Sequence, residues 1–60
     1  MEALKISEYA RSLYNLHGDK AEAEAAQKAI ACEEAGQSDE AKDWTAIRQT
    51  IRSLRGANQS

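Results

Sequence analysis

No proline interrupts the chain, and its only glycines fall at positions 18, 36 and 56. Proline and glycine are the two residues least compatible with a helix interior, so each stretch between these positions is free to be helical. The side chains favour that outcome. Ala, Glu, Lys, Arg, Gln and Leu dominate, Val and Phe are absent, and β-branched residues are few. The sequence therefore predicts an all-α chain of three helices, about 3–17, 20–35 and 39–55, joined by two very short turns. Residues 1–56 form a single helical domain in this reading and 57–60 a flexible tail.

Local signals set the expected boundaries. Ile6, Tyr9, Ala10, Leu13, Leu16 and His17 recur at steps of three and four, which places them on one helix face. Gly18 should end that helix by taking positive φ. Asp19 and Glu22 then give a D-x-x-E version of the capping box that opens the second helix. The second helix is built from alanine, with Ala21, Ala25, Ala29 and Cys32 along one edge and Ala23, Ala26 and Ile30 along the next. A wide small-residue surface lets neighbours approach on two sides, so this helix is expected between the other two. Gly36 ends it. Ser38 is the expected N-cap of the third helix, with Asp39 and Glu40 in its first turn. Trp44, Ile47, Ile51 and Leu54, spaced three, four and three with Ala41 one turn back, form its apolar seam. Gly56 is the expected stop.

The apolar material is thin for sixty residues. Eleven large apolar side chains are present, and twelve of the remaining apolar residues are alanines. A chain of this size buries only about 60% of the surface its unfolded form exposes, and small domains usually add a disulfide, a metal or a partner. Cys32 is the only cysteine and His17 the only histidine, which excludes an internal disulfide and the usual structural zinc sets. Association remains, so the bundle is expected to be completed by dimerisation, using the first and third helices. Leu4, Tyr14, Trp44, Ile51 and Leu54 are the candidate apolar contacts.

Charge is unevenly distributed. All ten acids lie at or before Asp43 against five bases, a net −5, while from Trp44 onward there are three bases and no acid, a net +3. The three are Arg48, Arg52 and Arg55. At about 100° per residue they flank the seam of the third helix on its Trp44 side. Arg48, one turn beyond Trp44, is placed to lay its guanidinium over the indole. Arg52 and Arg55 also suit the negative end of the helix dipole. Glu33 and Glu34 on the second helix are the candidate partners, inside the chain or across a dimer. The arginines thus join the apolar candidates as the rim of a protein contact. An overall negative chain is a poor starting point for nucleic-acid binding, and anion or nucleic-acid binding through this rim, with Arg11 as a further contact, stands as the alternative.

Residues 18 to 54 read G-D-x-A, a small-residue helix, then G-x4-A-x2-W-x2-I-x3-I-x2-L. This resembles a recurring pattern in short uncharacterised helical proteins of alphaproteobacteria, which implies a bacterial chain and brings no activity with it. The stretch is also weakly similar to a single tetratricopeptide hairpin, with Ala29, Gly36 and Ala41 at compatible spacings. Lys28, Thr45 and Arg48 depart from that motif, and such repeats need about three stacked copies for stability. What the likeness implies is a helical hairpin.

Phosphate-binding glycine loops, nucleophile elbows, His-Glu-x-x-His and Cys-x-x-Cys are all missing from the sequence. Paired carboxylates such as Glu22 and Glu33 do not make an acid/base site without a cleft to shift them. No catalytic residue, cofactor or small-molecule substrate is expected. His17 reads as a helix C-terminal residue and Cys32 as a small buried hydrophobe. Tyr9 and Trp44 read as core, and Tyr14 as partly exposed. No secretory h-region and no long apolar run occurs, so a cytoplasmic protein is expected, with a thiol suited to a reducing compartment. The functional expectation is a non-catalytic helical protein that acts through protein–protein contacts, as a homodimer or an accessory subunit.

Overall fold

The computed structural model describes residues 2–58 and shows an all-α chain with helices α1 (Ala3–His17), α2 (Lys20–Glu34) and α3 (Ser38–Asn58). Positive φ separates the first from the second and the second from the third, at Gly18 and Gly36. At the second turn the backbone closes a complete Schellman motif. Gln37 N–H donates to the Cys32 carbonyl at 2.8 Å and Gly36 N–H to that of Glu33 at 3.1 Å. The last carbonyls of α2 are thereby satisfied without any side chain. Only glycine takes φ of 77° without steric cost, so Gly36 sets the reversal that brings α3 back along α2.

Three of the sequence expectations about helix ends are corrected. Ser38 is the first residue of α3 and not its cap, because Ala41 N–H already bonds the Gln37 carbonyl at 2.9 Å. Asp19 precedes α2 in helical conformation and makes no side-chain cap bond, and Glu22 is engaged elsewhere, so no capping box forms. Gly56 does not stop α3, which runs on to Asn58. Glycine disfavours a helix but does not forbid one, and no proline follows to end it. Of the expected tail, Gln59 and Ser60 lie outside the described residues.

The core forms where small residues meet large ones. Ala10 of α1, Ala21 and Ala25 of α2, and Ile47 and Ile51 of α3 make one buried cluster, with Ile6, Leu13, Tyr14 and Trp44 packed partly against it. Ala29, Cys32 and Ala41 extend the buried α2–α3 seam. The alanine edge of α2 lies on α3 as the spacing predicts, but α2 is not the central helix. α3 packs extensively on both of the others, and α1 touches α2 least. The reason is side-chain size. Ile47 and Ile51 reach neighbours on two sides, whereas an alanine surface presents little beyond its own backbone.

The α1 face is narrower than its spacing suggested. Ala10 is buried and Ile6, Leu13 and Tyr14 are half-buried, but Leu16 is 79% exposed and Tyr9 45%. Leu4 and Ile30 are also exposed, at 70% and 56%. Tyr9 still contributes through its ring, which meets Trp44 edge to face with centroids 5.6 Å apart and planes at 83°.

The backbone conformations of Gly36 and Gly56 predict opposite responses. Space for a Cβ exists at both Gly36 and Gly56, so only backbone conformation decides. Gly36→Ala should destabilise by about 1 kcal/mol through its left-handed φ. Gly56→Ala, inside a helix, should stabilise by about 0.5 kcal/mol. Thermal unfolding followed by circular dichroism reads both signs. Ile47→Ala or Ile51→Ala removes one of the two large side chains that are fully buried, at about 2–5 kcal/mol, and circular dichroism should find either variant largely unfolded.

Candidate functional site

The three arginines lie along the far half of α3, and the hairpin register decides what they face. α2 and α3 run antiparallel. Arg55 meets Glu22 at one end, and Cys32 Sγ lies 3.9 Å from Glu40 Oε2 at the other. The C-terminal half of α3 therefore sits beside the start of α2, well away from Glu33 and Glu34. The expected pairing with those two residues does not occur within the chain.

Arg55 is the structural member of the set. Its Nη1 lies 2.6 Å from Glu22 Oε1 and donates a hydrogen bond there, while its Nε lies 3.5 Å from Asp19 Oδ1. Glu22 is largely buried, with 18% of its side chain exposed, and Asp19 is 83% exposed. Short distance and partial burial make the Glu22 contact the stronger one. It ties the end of α3 to the start of α2, and this is why Glu22 is unavailable to cap its own helix.

Arg48 and Arg52 have no ion-pair partner among the described residues. Both are exposed, and with Glu22, Arg55 and Gly56 they line an open groove of about 520 Å³. Arg48 does not cover the Trp44 indole. The ring contact of Trp44 is with Tyr9, across the α1–α3 junction. Two cationic side chains thus stand beside a neutralised third.

The remaining candidates separate by burial. Ile51 is fully buried and belongs to the core, so it cannot serve a partner as expected. Trp44, Leu54 and Tyr14 are half-buried. Leu4 is exposed on α1, where it lines a shallow groove with Arg11. A contact uniting all eight candidates is therefore not what the fold presents.

Two polar features escaped the sequence reading. His17 Nδ1 approaches Glu24 Oε1 to 2.6 Å, linking the end of α1 to α2. That oxygen is itself buried and has no well-angled hydrogen bond, so the contact is one of ion-pair distance only. The helix phase of Glu24, one turn beyond Lys20 on the α1 side, was the signal available for it. The second is the pair of threonines on α3. Thr45 and Thr50 donate their hydroxyls to the Ala41 and Ala46 carbonyls at 2.9 Å, so both are occupied by their own helix. Among the described residues, no three His, Cys, Asp or Glu side chains converge as a metal site, and no helix is long and apolar enough to cross a membrane.

No protein-family model matches the chain, and neither a curated protein nor a solved structure matches it.

The two acids around Arg55 should differ in weight. Glu22→Ala should lower stability by about 1 kcal/mol, and less at high salt. Asp19→Ala should stay within about 0.5 kcal/mol of the parent. Urea denaturation at two ionic strengths checks the contrast.

Proposed function

We propose that this chain is a non-catalytic cytoplasmic protein that works through protein–protein contacts, first of all with a second copy of itself. The observation that carries the reading is the poverty of the core beside the apolar surface left outside it. Among the described residues Ile47 and Ile51 are the only large side chains fully buried, whereas Leu4, Leu16, Ile30 and Tyr9 are exposed. A fold that leaves these apolar side chains in water gains stability when a partner covers some of them. Service as an accessory subunit to another protein would use the same surface.

The groove of Arg48, Arg52 and Arg55 supports a second reading, binding of an anion or nucleic acid. Two guanidiniums with no ion-pair partner among the described residues favour it. Glu22 in the same groove and the net charge of −2 oppose it. Filter binding to single-stranded RNA and DNA at low salt decides: retention that falls steeply as salt rises would support it, and no retention at low salt would end it.

Self-association is expected in the micromolar range by sedimentation equilibrium, with a melting temperature that rises with protein concentration. A monomer at high micromolar concentration, melting at a concentration-independent temperature, would overturn the homodimer.

A further inference from the structure

The exposed apolar residues are not equivalent. Leu4 and Leu16 are twelve positions apart on α1, about 120° apart around the helix, and cannot share one patch. Ile30 is different. With Ala23, Ala26 and Glu33 it recurs at steps of three, four and three, a single stripe on α2. The core takes the other edge of α2, through Ala21, Ala25, Ala29 and Cys32. Thr45, Arg48 and Arg52, at steps of three and four, form the adjoining stripe on α3. The two stripes share one face of the hairpin. Glu33 lines a groove with Ala41, Lys42 and Thr45, and Glu22 lines the next with Arg48 and Arg52. α1 packs its Ala10 against the Ala21–Ala25 side, so this face stays open.

Along that face the charge reverses, from Arg48 and Arg52 at one end to Glu33 and Glu34 at the other, with Lys42 offsetting part of the acidic end. The antiparallel register, set by Arg55 against Glu22 and Cys32 near Glu40, places Ile30 level with Trp44. Arg48 then lies about 6 Å along the hairpin axis to one side of Ile30, and Glu33 and Glu34 about 4.5–6 Å to the other. Arg52 lies further out on the cationic side. Such a face is complementary to itself when rotated by half a turn.

We propose that two copies of this chain pair antiparallel through the α2–α3 face, with Ile30 on the two-fold axis and Arg48 and Arg52 of each copy against Glu33 and Glu34 of the other. This rests on the self-association reading and names its surface. The contact is isologous and closes as a dimer, so both charged ends are used and no open chain of copies results. Ile30 and the alanines around it supply the apolar centre, and the charges form the rim and set the orientation. The Thr45 hydroxyl, bonded within its own helix, presents no unsatisfied donor to the contact.

Complementary charge reversal tests the arrangement. One variant carries Arg48→Glu with Arg52→Glu, and the other Glu33→Arg with Glu34→Arg. Circular dichroism should show both folded, since none of the four side chains is buried. Alone, each variant sets like charges against each other, and sedimentation equilibrium should show dimerisation weakened by more than about tenfold. Mixed in equal amounts, the two should form a heterodimer close to wild-type affinity, because opposite charges meet at both ends. Leu16→Glu on α1 should leave the wild-type affinity unchanged. Wild-type dimers with both reversal variants undiminished would overturn this surface and leave self-association standing. Weakened variants that fail to recover on mixing would overturn the pairing, as would dissociation by Leu16→Glu. A monomeric wild type would overturn both this inference and the reading beneath it.

Discussion

Everything in this structure depends on how closely α2 can approach α3. The alanine edge of α2, with Cys32 at its end, has almost no side-chain thickness, so Ile47 and Ile51 press against helix backbone and are fully buried. Two isoleucines are little from which to build a core, and they suffice only because nothing bulky holds the helices apart. α1 is admitted to the same cluster by the same device, through Ala10. The cost of small residues is area. An alanine contact excludes little water, so close packing here coexists with a large exposed surface.

The register of the hairpin follows from that approach and from Gly36. A Schellman turn returns the chain in a few residues, and Arg55 ties the far ends together through Glu22. One consequence is that charges clustered in sequence are spread out in space. Acids concentrated around the turn stay at one end, while Arg48 and Arg52 are carried to the other. A molecule with a thin core, an exposed Ile30 and opposite charges at the two ends of one face has the ingredients of a self-complementary contact. The proposed self-association rests on those three features.

The role of the arginines is sharpened by the division among them. Arg55 works inside the fold, at 2.6 Å from a largely buried carboxylate. Arg48 and Arg52 have aliphatic stems long enough to cross the edge of a contact while their heads reach a neighbour's acids. Trp44, engaged edge-on by Tyr9, is not part of that rim. It joins α1 to the hairpin.

Helix number, the two turns and the buried edge of α2 were legible in the sequence, because each rests on a local rule: glycine at positive φ, the absence of proline, and small residues at helical spacing. The core positions Ala21, Ala25 and Ile47 were legible for the same reason. Local rules failed where a distant group competed. Glu22 had the spacing of a capping residue, but a guanidinium 33 positions away offers a charged hydrogen bond, and the cap was lost. Glu33 and Glu34 looked like partners for the arginines by charge alone, and only the antiparallel register places them at the opposite end. The centrality of α3, the exposure of Leu16 and Ile30, and the burial of Ile51 were likewise settled by packing. Periodicity says which residues share a face, whereas which part of that face is covered depends on how the neighbouring helix lies across it.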